Sequence, residues 1–279
     1  PLTVAEEWAA KAGVPIICID RGLDKEPGQG SYISLIQMDC YLNGVANGIS
    51  IVKKLTEKYG EPKGNVAEIA GILGSSAGIQ RSQGQHWVLS HFPNIKVVAV
   101  RPGEFDRRTS FQAAQDILTA FPKGKLDAIM GGCDESGLAA LEAVKAAGRD
   151  ELLGYIWGID GTTEFLEGVL KGELAESNEF TPFYGLITFE YAIHYLHGEN
   201  IPGRIIMPGR NYAADTDAKK AKLEEFIKHN KDNKLAFVPM ELGGQDVFTV
   251  DKAELEKYYP KPFWEVKELQ DVKPFVEQK

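Results

Sequence analysis

The sequence predicts an α/β protein built on mainly parallel sheet. Three observations carry that reading. Short, mostly apolar, β-branched runs recur along the chain, amphipathic helical runs separate them, and charged or aromatic residues gather where the strands end. Apolar runs of this length are what strands buried on both faces look like. Strand–helix–strand alternation at this spacing yields right-handed βαβ units, with helices layered around a sheet.

Strands are predicted at 14–19, 32–36, 65–70, 95–100, 128–130, 153–159, 174–179 and 204–207, and helices at 4–12, 40–58, 78–91, 109–121, 134–147, 162–171 and 183–197. The first strand is almost continuously apolar, which asks for a neighbour on each side. In the helix at 109–121, Thr109 is placed to cap the first turn. Ala113, Ala114, Ile117, Leu118 and Phe121 share a face of that helix, and Pro122 and Gly124 stop it. The next helix opens at Asp134 and ends before Gly148, a residue suited to the left-handed position past a helix end. The helix at 183–197 carries Tyr184, Leu186, Ile187, Phe189, Tyr191, Tyr195 and Leu196 around much of its circumference, more than a one-sided helix shows. Beyond residue 214 the pattern changes to a charged helix at 219–234, a strand at 247–250 and a short helix at 252–259. The tail 260–279 alternates Pro, aromatic and charged residues and reads as an arm on the surface. There is no internal repeat and no low-complexity tract.

Composition narrows the function classes. The chain has 279 residues, 43% hydrophobic and 25% charged, so a real core is available and disorder is excluded. No run approaches the ~20 apolar residues of a membrane-spanning helix. With 31 basic and 40 acidic residues the net charge is −9, and the basic footprint of a nucleic-acid binder is missing. Three cysteines, Cys18, Cys40 and Cys133, are too few for a disulfide scaffold.

Gly74-Ser75-Ser76-Ala77-Gly78 fits G-x-S-x-G between a strand and a helix, the setting of a hydrolase nucleophile elbow, and Asp160 with His194 or His197 would complete a triad in chain order. The match is short, and the plainer reading is Ser75 or Ser76 capping the next helix. No P-loop and no dinucleotide fingerprint occurs. His194 and His197 lie three apart on a helix without a third ligand, so they read as a solvated face and no metal or cofactor is expected.

The strand ends carry more, because open α/β sheets bind ligands there. They present Asp20-Arg21, Ser75-Ser76 with Arg81 following, Phe105-Asp106-Arg107, Cys133-Asp134-Glu135, Asp160, and Glu179-Phe180-Thr181. A carboxylate accepts two hydroxyl hydrogen bonds, and a guanidinium donates in a fixed fork. An aromatic face covers the C–H face of a sugar ring. Together these suit a polyhydroxylated small molecule.

On Val14-Pro15-Ile16-Ile17-Cys18-Ile19-Asp20-Arg21, Gly74-Ser75-Ser76-Ala77 with Arg81 and Gly84, Glu104-Phe105-Asp106-Arg107, Asp134-Glu135 with Gly137, and Gly158-Ile159-Asp160-Gly161-Thr162, the chain resembles the ribose-binding family of type I periplasmic solute-binding proteins, which serve ABC sugar importers. The likeness runs from about residue 3 to about 214. It implies two doubly wound lobes with mainly parallel sheets joined by a hinge. The first lobe would take 1–38 and 181–208, the second 39–180 and 209–250, with 251–279 a C-terminal extension. The hinge crossings would fall near Met38-Asp39, Phe180-Thr181 and Pro208-Gly209. Ligand would lie between the lobes, with no catalysis, and a monomer would hand a sugar-like solute to a membrane permease outside the cytoplasm. The positions matching the family's sugar contacts are Asp20, Arg21, Arg81, Phe105, Cys133, Asp160 and Phe180. Cys133 stands where ribose binders carry Asn, and Phe180 where they carry Gln. The loss of two amides disfavours ribose and suits another monosaccharide, a polyol or a cyclitol. Cys133 precedes a helix start, which would lower its thiol pKa and give a reactive, ligand-shielded sulfur; the other reading is an inert buried cysteine.

The resemblance also implies about three βα steps ahead of the first helix, so the first lobe is expected to be incomplete and to be preceded by a segment of roughly 70–90 residues. The alternative is the sensing core of a lac-repressor-type regulator, which shares the architecture. A Ser76 hydrolase stands third.

Overall fold

In chain order the computed structural model contains α1 (Leu2–Ala12), β1 (Ile16–Ile19), β2 (Tyr32–Met38), α2 (Cys40–Tyr59), β3 (Gly64–Ala70), α3 (Ser76–Ser90), β4 (Ile95–Pro102), α4 (Arg107–Ala120), β5 (Ala128–Gly131) and α5 (Asp134–Ala146). There follow β6 (Ile156–Asp160), α6 (Thr163–Leu170), β7 (Glu176–Glu179), α7 (Tyr184–Leu196), β8 (Ile201–Pro202), β9 (Arg204–Met207), β10 (Asn211–Ala213), α8 (Asp217–Asn233), α9 (Lys252–Tyr258) and β11 (Asp271–Val272). The structure describes residues 2–207, 209–250, 252–258 and 271–272. The chain divides into two compact units, one of Pro1–Asp39, Pro182–Pro208 and Pro260–Lys279, the other of Cys40–Thr181 and Gly209–Tyr259. The predicted crossing at Pro208 and most of the predicted surface arm at 260–279 lie outside the described residues.

The larger unit is a six-stranded sheet in the order β10-β7-β6-β5-β3-β4, parallel except for β10, which runs antiparallel to β7. Its strands alternate between two buried faces. Ala67, Ile69 and Ile129 pack with α4, α5, α6 and α8 on one side. Val66, Ala128, Met130 and Trp157 pack with Ile51 and Leu55 of α2 and Leu89 of α3 on the other. Burial of both faces explains why these strands read as unbroken apolar runs. Helices α2 and α3 cross at glycines. A Cβ at Gly44 would lie 2.1 Å from the Arg81 carbonyl oxygen, and one at Gly84 would lie 2.2 Å from that of Tyr41.

The smaller unit holds a parallel three-stranded sheet, β1-β2-β9, with β2 buried along its whole length at the centre. Among the described residues β1 pairs only with β2, and its side chains are half-buried or exposed, so the neighbour expected on its other side is not part of this sheet. Strands β8 and β11 pair antiparallel. In α7, Tyr184 and Tyr195 are buried, whereas Leu186, Phe189 and Leu196 face outward.

Three local expectations are corrected, and two short strands are added. Residues 247–250 form no strand. The N–H groups of Val247 and Phe248 turn back to the Gly244 carbonyl, and the Phe248 carbonyl accepts from Asn211 N–H at 2.8 Å. Strands β8 and β10 went unread because two or three residues carry no period. Strand β6 starts at Ile156, since residues Asp150–Leu152 form a 3-10 turn. Helix α4 is capped by Asp106, whose carboxylate accepts from Thr109 N–H at 2.8 Å; an acidic cap three residues earlier takes that role from Thr109.

Candidate functional site

Within the larger unit, the strand ends bring Arg81, Phe105, Asp160 and Phe180 together. Arg81 lies in the second turn of α3 and is only 4% exposed. One terminal nitrogen (Nη1) donates to the Gly132 carbonyl at 2.8 Å, and the other (Nη2) donates to Asp160 Oδ1 at 3.1 Å. Its guanidinium carbon stands 4.4 Å from the centre of the Phe180 ring and 5.4 Å from that of Phe105. Two rings and two acceptors thus hold a planar cation in one orientation. The Phe105 ring occupies the space a side chain at Gly71 would need, since a Cβ there would lie 2.2 Å from the ring.

Asp160 ends β6 and accepts a second hydrogen bond, from the Asp134 N–H at 3.4 Å. Its backbone adopts φ 146°, Phe105 adopts 56°, and Asp20, in the smaller unit just past β1, adopts 65°. Positive φ in non-glycine residues costs free energy and is retained where the surroundings hold it, most often at functional sites. Arg21 lies beside Asp20, Nε to Oδ2 at 3.5 Å.

Cys133 is the N-cap residue of α5. Its sulfur accepts from the Ser136 N–H at 3.4 Å and is almost fully buried. The expected acidic thiol is not found. Burial and the negative charge of Asp160 push the thiol up to about 12, and the helix start does not compensate for them.

Several other strand-end residues belong to the scaffold. Arg107 ties Glu135 at 2.6 Å to Glu164 at 2.9 Å. Glu179 pairs with the buried Arg210, accepting from its backbone N–H at 2.9 Å and its Nε at 2.8 Å. Ser75 is the N-cap of α3 yet makes no side-chain capping bond. The serine triad finds no support: Asp160 is engaged by Arg81, and His194 shares a 2.8 Å hydrogen bond with Glu199. Among the described residues no cluster of His, Cys, Asp and Glu could hold a metal, and no helix is long and apolar enough to cross a membrane. Sequence reasoning did not single out the Gly132 carbonyl or Ser177. The first is backbone, and Ser177 lies 43 positions from the Asp134 carboxylate it meets.

Residues 3–200 match a family model described as a periplasmic binding protein domain. The ribose import binding protein RbsB of Escherichia coli (strain K12) is 33% identical over 202 residues, which is 72% of this chain and 63% of that protein, so the chain spans less than two thirds of this relative's length. The xylitol-binding protein of Mycolicibacterium smegmatis is 30% identical over 165 residues, 59% of this chain and 44% of that one. Among solved structures, an ABC transporter periplasmic solute binding protein of Actinobacillus succinogenes 130z with bound D-allose superposes with a TM-score of 0.69 at 25% identity, covering 80% of this chain and 74% of the other.

Proposed function

This chain belongs to the periplasmic binding protein domain family, and on that premise we propose that it captures a small sugar-like solute, a monosaccharide, polyol or cyclitol, for an ABC importer. The observation that carries the proposal is the buried Arg81, held against the rings of Phe105 and Phe180 and paired with the part-exposed Asp160 at the strand ends. That arrangement offers what a polyol needs: a fixed donor fork, a carboxylate that accepts hydroxyl hydrogen bonds, and aromatic faces for C–H groups. Cys133 adds an apolar wall beside Asp160. Asp20 and Arg21, at a strand end of the smaller unit, are proposed as further solute contacts. The relatives' names, which speak of ribose, xylitol and D-allose, support the ligand class. The proposed partner is a membrane permease and the proposed setting is the periplasm or the outer face of the membrane. No chemistry on the solute is proposed.

Isothermal calorimetry with D-ribose, D-allose, xylitol and myo-inositol tests this. Asp160→Ala and Arg81→Ala should each weaken binding by about 1.5–3 kcal/mol, the range for hydrogen bonds to charged groups. Undiminished affinity in both variants would discard the site, and conversion of the bound solute on prolonged incubation would move the protein to an enzyme class.

A further inference from the structure

Asp134 is wholly buried at the start of α5, and its carboxylate is spent on one short turn. Oδ2 accepts from the Thr162 N–H at 2.6 Å and the Thr162 hydroxyl at 2.9 Å. Oδ1 accepts from the Ser177 hydroxyl at 2.6 Å, and that hydroxyl oxygen accepts from the Gly161 N–H at 3.0 Å. Both peptide N–H groups that follow Asp160 therefore end on Asp134, one directly and one through a single hydroxyl. The backbone N–H of Asp134 also reaches Asp160 Oδ2 at 3.4 Å.

The turn so held is one that would not hold itself. Asp160 sits at φ 146° and Gly161 at 78°, and a Cβ on Gly161 would come within 2.4 Å of the Tyr212 ring. Room for the Asp134 carboxylate comes from Gly158, where a Cβ would lie 2.3 Å from its Oδ1. A helix N-terminal acid needs none of this; it would be served by solvent exposure and the first-turn N–H groups.

We infer that Asp134 is the positioning residue of the site, its carboxylate clamping the Asp160–Gly161–Thr162 turn so that Asp160 presents its carboxylate to Arg81 and to a bound solute. The inference rests on the assignment of Asp160 as a solute contact. The partners as they stand donate to the Asp134 carboxylate, the Thr162 N–H and hydroxyl to Oδ2 and the Ser177 hydroxyl to Oδ1, and the charged form accepts from all of them, so protonation weakens the clamp. The ionisable groups that face it are Asp160 from β6 and Tyr212 from β10; burial first, and then the charge of Asp160, favour its protonated form. Acidification therefore loosens the turn.

The test has two arms, on the chain and its Asp134→Asn, Ser177→Ala and Asp160→Ala variants. The first needs no solute: amide hydrogen exchange followed by NMR. Asn in place of Asp134 keeps the volume but turns a donor toward donors. Exchange at Gly161 and Thr162 should speed up at least tenfold in Asp134→Asn, whereas in Ser177→Ala the change should be confined to Gly161. Unchanged exchange at both amides in Asp134→Asn overturns the inference, and Ser177→Ala decides the same point if the first variant does not fold. The second arm is calorimetry with D-ribose, D-allose and xylitol. For whichever of these the unaltered chain binds, Asp134→Asn should lose at least tenfold in affinity. The unaltered chain should bind more weakly at pH 6 than at pH 8, and that difference should vanish in the variant. Loss of affinity in Asp160→Ala with none in Asp134→Asn refutes the clamp and leaves the site standing. Faster exchange in Asp134→Asn with undiminished affinity in Asp160→Ala refutes the site and leaves the clamp as a structural one.

Discussion

At the scale of single residues, burial overrides local sequence context. Cys133 has the helix start that usually makes a thiol acidic, yet the residue is only 3% exposed and feels the charge of the Asp160 carboxylate. With the thiol pushed up to about 12, it stays protonated at pH 8. Alkylation by iodoacetamide at pH 8, read by peptide mass spectrometry, should therefore be at least tenfold slower at Cys133 than at the half-buried Cys18. Cys18 is itself shifted up, first by burial and then by Glu6, so exposure is what separates the two sulfurs. Equal labelling would contradict the burial described for Cys133. The same logic governs Asp134, whose position invites the reading of a first-turn acid and whose buried carboxylate instead organises the neighbouring turn.

At the scale of elements, the crossing of α2 and α3 sets where Arg81 stands. The two helices meet through Gly44 and Gly84, with no space for a methyl group against the Arg81 and Tyr41 carbonyls. Gly44→Ala and Gly84→Ala should each cost about 1–3 kcal/mol through overpacking, although alanine has the better helix propensity. Thermal unfolding would show a lower Tm for both, and calorimetry should show weaker solute binding, because α3 must shift and Arg81 shifts with it. A Tm equal to that of the unaltered chain would mean that the helices do not meet as described. Much of this level was readable in the sequence. The apolar runs located the two-faced strands, and the residues past them included Arg81, Phe105 and Asp160. Boundaries were less legible where two chemistries compete, as with Asp106 and Thr109 at the start of α4. Long-range partners were not legible at all. Nothing around Ser177 in the sequence points to Asp134, and β10 is three residues whose pairing is set by β7 rather than by a pattern of its own.

At the scale of the whole molecule, two sets of ionisable groups pull stability in opposite directions with pH. Asp127 is held low, against its burial, by hydrogen bonds from Tyr59, Asn65 and Lys58; Glu164 is held low by Arg107. A carboxylate held low contributes stability that is present above its ordinary value and lost as pH falls through its folded value. Glu176 and His86 act the other way. Glu176 is pushed up to about 7 by burial, in the wall of a cavity of about 650 Å³. Its partners are Asn211, donating at 2.6 Å, and Ser50, with Lys219 and Asp215 nearby. In the unfolded chain it ionises near its ordinary 4.5, so stability falls as pH rises from there to about 7 and then levels off. His86 is raised by Glu68, which shares a 2.7 Å hydrogen bond with it. Its contribution is full below 6.5 and is lost as pH climbs through the raised value. The net expectation is a stability maximum in mildly acidic solution, near pH 5. Glu176→Gln separates this from general charge repulsion at a net charge of −9. The amide offers an oxygen to Asn211 and is uncharged at both pH values, as the protonated acid is at pH 5, so it should match the unaltered chain at pH 5 and exceed it at pH 8. The flattening should persist in 0.3 M salt, where exposed charges are screened beyond a few ångströms. Urea unfolding at the two pH values measures this directly, and a Glu176→Gln chain that loses as much stability between pH 5 and pH 8 as its parent would remove Glu176 as the cause.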